Sequence, residues 1–399
     1  MTAPAKTVKP VYRYKIGDVY FHDWRAIPLY KQNWAAVFIT NISGDYLAYP
    51  PYDMAVAMRE LCRKLRDRWL GWASLWIRLD IPGTWYMREF QRGFRGVRSV
   101  PLAITNMDVA EPSLMDFTFT PKMDRTPDIP SPAPAEPKYL PRLTSGQWRS
   151  LLALSRIRQG TVLEIAAQAG VSPTTVRSAM PLFLDLAVYK NGKERRIGVV
   201  SQDGDQWIIR PRNGVSLALR RLGLPPGSKI KREARYTQGP RHLHTSRLWP
   251  AWLRQGYPGN VEIWAGWSEP RVDAKRLYPD ALAWGTYRGA ETLFLLEVES
   301  GKASDARLER KFKTRIAKAS NYLWRLSNDA DVWMIFGVAA PPRTLKTLSS
   351  LLSELQAKQD ILIPHNMAVI LFPWTGFGES LPVPVFGQVS PGIAQLRLL

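Results

Sequence analysis

Between Pro121 and Pro141 the chain carries seven prolines: Pro121, Pro127, Pro130, Pro132, Pro134, Pro137 and Pro141. Each proline fixes φ and removes a backbone donor, so this stretch can form neither a helix nor a central strand. The sequence must therefore fold as separate parts on either side of it. An N-terminal domain is expected over 1–120, a linker over 121–142, and further domains beyond. With 399 residues, 45% of them hydrophobic, there is enough apolar material for more than one core.

The charge balance points to the partner. Lys and Arg total 55 against 34 Asp and Glu, a formal net charge of +21. Such an excess is favoured where phosphates are neutralised and counterions released, so double-stranded DNA is the expected partner. A single cysteine, Cys62, excludes an intramolecular disulfide and a cysteine-rich zinc site. The N-terminus has no apolar core of a secretion signal and no run is long enough to span a membrane. A cytoplasmic protein associated with nucleoid or plasmid is the expectation, with no membrane partner.

In the N-terminal region, Met54, Met58, Leu61, Leu65, Trp69, Trp72 and Trp76 recur at spacings of three and four. This predicts a helix over 52–76 with basic residues on its outer face, flanked by strands such as Trp34–Thr40. An α+β domain follows, whose role could include protein contacts.

After the linker, a helix is expected at Ser145–Arg158, and then TVLEIAAQAGVSPTTVRSAM over Thr161–Met180. Glu164–Ala169 forms one helix and Gly170 ends it, because the turn requires a left-handed residue. Ser172 caps a second helix and Pro173 suits its first position. This is a helix-turn-helix pattern. Thr174, Thr175, Arg177 and Ser178 would face the major groove. Strands within Val188–Pro211 would add a wing, with Lys190, Lys193, Arg195 and Arg196 positioned for phosphates. The winged helix-turn-helix is expected over 143–218, followed by a basic connector over 219–239.

From 240 onward the pattern reads helix, three strands, helix, strand, helix, strand, an α/β domain over 240–399. The strands are expected near Val261–Trp267, Pro279–Tyr287, Thr292–Glu299, Val332–Ala339 and Met367–Trp374, with a long helix over 303–326. Pro279-Asp280 opens one strand, and FLLEVESGK carries Glu297 and Glu299 at the end of the next. Residues two apart on a strand face the same side, so the two glutamates project together. A turn at Arg288-Gly289 would bring Asp280 beside them. A cluster of carboxylates is costly without a cation, so Asp280 and Glu297 are candidate ligands for Mg²⁺ or Mn²⁺. Such an ion would activate water against a phosphodiester, with Glu299 supporting it. A lysine is needed nearby to stabilise developing charge, and Lys302 and Lys311 are the candidates. Lys311 is preferred because, about two turns into the next helix, its long side chain can reach back to the sheet edge. Arg307, Arg310 and Lys313 would track a DNA backbone.

These motifs resemble the replication-relaxation family of plasmid and mobile-element proteins and the related MobC-type relaxases. The matching residues are His242 or His244, Trp267 and Glu269, Pro279 and Asp280, Glu297 and Glu299, Gly301, and Lys311 on the following helix. The resemblance covers about residues 143 to 330. It implies a winged helix joined to a PD-(D/E)XK-like domain, a mixed sheet with flanking helices, and a metal-dependent endonuclease or nickase. Glu299 stands where that family carries aspartate, and the tyrosine expected soon after the lysine is missing. Tyr322 falls too late to be assigned. Residues 1–120 have no counterpart.

Three other readings remain open. His242-Leu243-His244 matches the metal-binding core of a histidine-based nicking enzyme, if it lies on a strand. A degenerate nuclease scaffold would leave a non-catalytic replication or regulatory protein. A transposon or defence nuclease would carry the same motifs.

Overall fold

The computed structural model describes residues 14–16, 19–21, 23–28, 34–43, 50–69, 73–94, 102–106, 108–109, 131–132, 143–190, 193–210, 240–256, 259–268, 270, 272, 277–327, 332–373 and 392–395. The chain divides into two units, Met1–Pro82 with Tyr86–Arg232, and Gly83–Trp85 with Glu233–Leu399. Most of the proline-rich stretch, the basic connector and Glu269 lie outside the described residues. No helix among the described residues is long and apolar enough to cross a membrane.

The first unit begins with short strands β1 (Tyr14–Ile16) and β2 (Val19–Phe21), then β3 (Asp23–Pro28) and β4 (Trp34–Ser43). Helix α1 (Pro51–Trp69) leads to β5 (Ala73–Asp80), and α2 (Trp85–Gly93) leads to β6 (Leu102–Asn106). The sheet order is β3-β4-β5-β6, antiparallel at the first pair and parallel at the others. From the proline-rich stretch, β7 (Ser131–Pro132) pairs with β1.

The apolar periodicity of α1 runs as expected through Met54 and Met58, both fully buried beside Cys62. The expected helix ends too late, however. The chain leaves it at Trp69, and Trp76 is buried within β5. Ala73–Asp80 carries a continuous buried run, Ser74–Ile77, as an interior strand does, and pairing with β4 outweighs the helical spacing of Trp76 from Trp69 and Trp72. Burial pushes the Cys62 thiol up to about 12, against a small downward pull from a backbone hydrogen bond, so it stays protonated and inert.

Further along this unit, α3 (Ser145–Ile157), α4 (Val162–Ala169) and α5 (Pro173–Leu184) pack around Trp148, Leu151, Ile165, Val176, Met180 and Phe183. Thr161 and Glu164 form a reciprocal capping box at the start of α4. Gly170 ends α4 at φ 63° and ψ 39°, and the Ser172 hydroxyl accepts the Thr175 N–H to open α5. Pro181 does not end α5, which continues to Leu184.

Strand β8 (Gln159–Gly160) precedes α4. After α5 come two hairpins, β9 (Leu186–Lys190) with β10 (Lys193–Ile197), and β11 (Val200–Asp203) with β12 (Gln206–Ile209). Only the second joins the helices' own sheet, in the order β11-β12-β8. Among the described residues, the basic hairpin pairs only with itself.

In the second unit, α6 (Pro240–Gly256) is followed by β13 (Val261–Ser268), β14 (Ala281–Tyr287), β15 (Ala290–Val298), α7 (Asp305–Ser327), β16 (Trp333–Ala340), α8 (Pro342–Ala357), β17 (Met367–Pro373) and β18 (Gly392–Gln395). The expected order of elements therefore stands, with β18 added. The sheet runs β13-β14-β15-β16-β17-β18, antiparallel through β15 and parallel after it. Its central strands are buried almost throughout, as strands covered on both faces are. The Arg288-Gly289 turn has positive φ at both residues, 51° and 82°, as a tight hairpin demands. Trp249 of α6 stacks on Phe372 and donates to the Phe294 carbonyl, which holds the helix across the sheet.

Gly83–Trp85 belongs to this unit because of Glu291. Its carboxylate accepts the N–H groups of Thr84 and Trp85, the Thr84 hydroxyl and the Trp284 indole, all between 2.8 and 3.0 Å. A Cβ on Gly83 would lie 2.5 Å from Glu291 Oε1 and within 3 Å of Trp264 and Trp284. Glu291→Ala is expected to lower the melting temperature of this unit, by about 2 kcal/mol of unfolding free energy or more. Gly83→Ala should do the same by steric displacement. Thermal unfolding of both variants checks this, and an unchanged transition in both would show the contact to be idle.

Candidate active site

Pairing of β14 with β15 brings Asp280 to the carboxylates of the next strand. Ala281 lies opposite Leu296, so Asp280 falls beside Glu297 at the strand ends. The Asp280 N–H donates to the Leu296 carbonyl, and Asp280 Oδ2 accepts the Val298 N–H at 2.7 Å. Asp280, Glu297 and Glu299 are 7%, 1% and 6% exposed, too buried for ordinary surface acids.

Helix α7 supplies the counter-charges. Lys311 Nζ donates to Glu299 Oε2 at 2.9 Å and lies 3.8 Å from Glu297 Oε2. One turn further on, Arg315 Nε lies 3.3 Å from Glu297 Oε1, and its Nη1 donates to the Tyr278 carbonyl at 3.0 Å. The other Glu299 oxygen accepts the Ser300 N–H at 3.0 Å. Glu297 Oε1, though at ion-pair distance from Arg315, is buried and accepts no hydrogen bond.

The electrostatics follow from burial. Glu297 is pushed up to about 8, first by desolvation and then by Asp280, while Arg315 and Lys311 pull it down and Glu299 adds a smaller upward push. Burial alone would lower Lys311. The charge of Glu297, the hydrogen bond and charge of Glu299, and Asp280 outweigh it, so Lys311 stays above the usual lysine value and cationic.

Lys302 sits exposed in the turn after Gly301. Arg307 and Arg310 are exposed and, with Lys311, Thr314, Arg315 and Lys318, line an open concavity of about 510 Å³. Lys313 is absent from that surface, because its ammonium is paired with Asp360 at 2.8 Å. Arg315 and Lys318 escape a motif-based reading. The i, i+4 spacing of Lys311 and Arg315 was the available signal, since it puts both on one helix face.

Other sequence candidates are placed as follows. His242-Leu243-His244 lies within α6 rather than on a strand, which removes the geometry of a histidine-based nicking site. Trp267 is fully buried, its ring near that of Trp85. Tyr322 is buried and its hydroxyl accepts the Trp85 indole N–H. In the first unit Thr174, Arg177 and Ser178 are exposed along α5, whereas Thr175 is half-buried and bonded to the Ser172 hydroxyl. Arg196 pairs with Asp185 at 2.7 Å. The side chains of Lys190, Lys193 and Arg195 lie outside the described residues.

Among the described residues, no group of three or more His, Cys, Asp or Glu side chains is arranged to hold a metal ion. A Mg²⁺ ion does not require such a cage. It commonly takes one or two carboxylates and completes its shell with water and substrate phosphate. Asp280 and Glu297 fit that mode, being hard oxygen donors, and the Oε1 of Glu297 is buried and accepts no hydrogen bond. Compared with known proteins, the sequence matches no family model and no curated protein.

Glu297 also makes stability depend on pH. Its carboxyl holds a proton to about 8 when folded, against 4.5 ordinarily. Between these values the folded state binds the extra proton, so stability falls as pH rises through the window. The wild-type melting temperature is expected to drop more steeply between pH 5 and 8 than that of Glu297→Gln. Parallel slopes in thermal melts at several pH values would assign the proton elsewhere.

Proposed function

We propose that the protein is a metal-dependent DNA endonuclease or nickase, with a PD-(D/E)XK-like catalytic domain and a winged helix-turn-helix that binds double-stranded DNA. The observation that carries this reading is the meeting of Asp280, Glu297 and Glu299 with a groove walled almost entirely by cations of α7. Buried carboxylates beside a surface made for polyanions fit phosphodiester hydrolysis. The αβββαβ order from α6 to β16 agrees with this class, and the motifs resemble those of replication-relaxation proteins.

Asp280 and Glu297 would hold Mg²⁺ or Mn²⁺, which supplies Lewis acidity and an acidified water when bound. Lys311 remains cationic and stands where negative charge develops on the phosphate. It thus takes the place of the lysine that the strand lacks, while Glu299 holds it in position. Arg307, Arg310 and Lys318 bind the DNA backbone, and Arg315 closes the groove toward Glu297. Thr174, Arg177 and Ser178 of α5 read base edges, because they are its exposed polar residues. The hairpin carrying Lys190, Lys193, Arg195 and Arg196 adds phosphate contacts. The other hairpin carries Asp203 and Asp205 at its turn, which disfavours it as the phosphate-binding wing. The +21 charge supports a nucleic-acid partner.

Nicking of supercoiled DNA with Mg²⁺ or Mn²⁺ tests the reading. Asp280→Ala and Glu297→Ala should be inactive, and Lys311→Ala should lose roughly a hundredfold or more in rate while keeping most DNA binding. Arg177→Ala should weaken specific binding by roughly tenfold. Full activity in Asp280→Ala would overturn the catalytic assignment. A wild-type protein that binds DNA without cutting it would instead be a regulatory protein on this scaffold.

A further inference from the structure

We propose that Arg315 is the resident counter-ion of the metal site, and that it yields the Glu297 oxygen to a divalent cation and turns to a phosphate in the α7 groove. This rests on the metal-dependent reading above and adds a positioning residue that the motif does not contain.

The argument begins with how each carboxylate is held. Both Glu299 oxygens are engaged at hydrogen-bond distance, by Lys311 at 2.9 Å and by the Ser300 N–H at 3.0 Å. Asp280 Oδ2 is fixed by the Val298 N–H at 2.7 Å. Glu297 is held more loosely. Its Oε2 is 3.8 Å from Lys311, and its buried Oε1 has Arg315 Nε at 3.3 Å without a well-formed hydrogen bond. Of the three side chains, Glu297 has the oxygen most readily given to a metal, and Arg315 is the cation standing on it.

Two cations cannot share that oxygen at low cost. A guanidinium beside a divalent ion is repelled strongly in a partly buried setting. Arg315 has somewhere to go. Its side chain is 25% exposed and forms part of the same concavity as Arg307, Arg310, Lys311 and Lys318. Its hydrogen bond to the Tyr278 carbonyl anchors it two residues before Asp280, so a small swing suffices. A guanidinium moved from a carboxylate to a phosphate exchanges one oxyanion for another, each of which its planar fork can bind in bidentate fashion. Until metal arrives, the same group stands against the buried carboxyl cluster and ties the Tyr278 carbonyl to α7.

A purely structural Arg315 and a yielding counter-ion predict opposite changes in metal affinity. Mg²⁺ is titrated calorimetrically into the full chain at pH 8.5, using wild type, Arg315→Gln and Arg315→Lys. The expected result is that Arg315→Gln binds Mg²⁺ about tenfold more tightly than wild type, because a competing positive charge is gone. Arg315→Lys, which keeps the charge, should stay within about twofold. Nicking by Arg315→Gln at saturating Mg²⁺ should nevertheless be slower by about tenfold or more, because the phosphate loses its guanidinium. Equal or weaker Mg²⁺ binding by Arg315→Gln overturns the proposal, as does wild-type protein that binds no Mg²⁺. If Arg315→Gln does not fold, Arg315→Met carries the same expectation. Tighter Mg²⁺ binding in the variant, with no cleavage by wild type, would sustain Arg315 as counter-ion while removing the nuclease reading.

Discussion

The second unit is organised around buried negative charge. Glu297, Glu299 and Asp280 lie at the ends of interior strands of a sheet, buried among mainly apolar neighbours, where an unpaired carboxylate costs several kcal/mol. Their burial requires α7 to lie with Lys311 and Arg315 turned onto β15. The adjoining face of that helix buries Phe312, Ile316, Ala319 and Leu323, so one face packs while its neighbour neutralises. The exposed cations of α7 then fall beside the carboxylates by helical geometry alone, since residues three and four apart share a face. Burial of the acids, orientation of the helix and formation of the cationic groove are one arrangement.

The same winding occurs twice in the chain. In the first unit an antiparallel pair, β3 and β4, is followed by α1, a parallel strand, α2 and another parallel strand. In the second, β14 and β15 are followed by α7, β16, α8 and β17. The chemistry is not repeated. Asp23 stands opposite Ile39 as Ala281 stands opposite Leu296, and the chain then meets Thr40 and Ile42 where β15 meets Glu297 and Glu299. Among the described residues, only the second arrangement thus carries the paired glutamates, and the chemistry resides in the side chains placed on the scaffold.

Some features were legible because they depend on neighbours in the chain. The Ser172 cap, the Gly170 turn and the alternation of Glu297 and Glu299 each involve residues within a few positions of one another. Helical spacing misled at Trp76. Three tryptophans in helical register extended the expected helix into a segment that pairs with β4. The joining of the β11–β12 hairpin to β8 was not legible, because it pairs residues far apart in the chain, such as Trp207 and Gly160.

The sequence by itself determined the order of elements in the second unit, the capped helices after the proline-rich stretch, and the clustering of Asp280 with Glu297 and Glu299. These follow from local periodicity, turn chemistry and a short hairpin whose register is set by its own two-residue turn. The reach of Lys311 to the acids was expected from its place about two turns into the helix, whereas only the tertiary structure decided that Lys313 is held by Asp360 and that Arg315 stands on Glu297. It alone joined Thr84 and Trp85 to Glu291, about two hundred residues away. Those choices depend on which face of a helix meets the sheet and which distant backbone groups find a carboxylate, and sequence spacing contains neither.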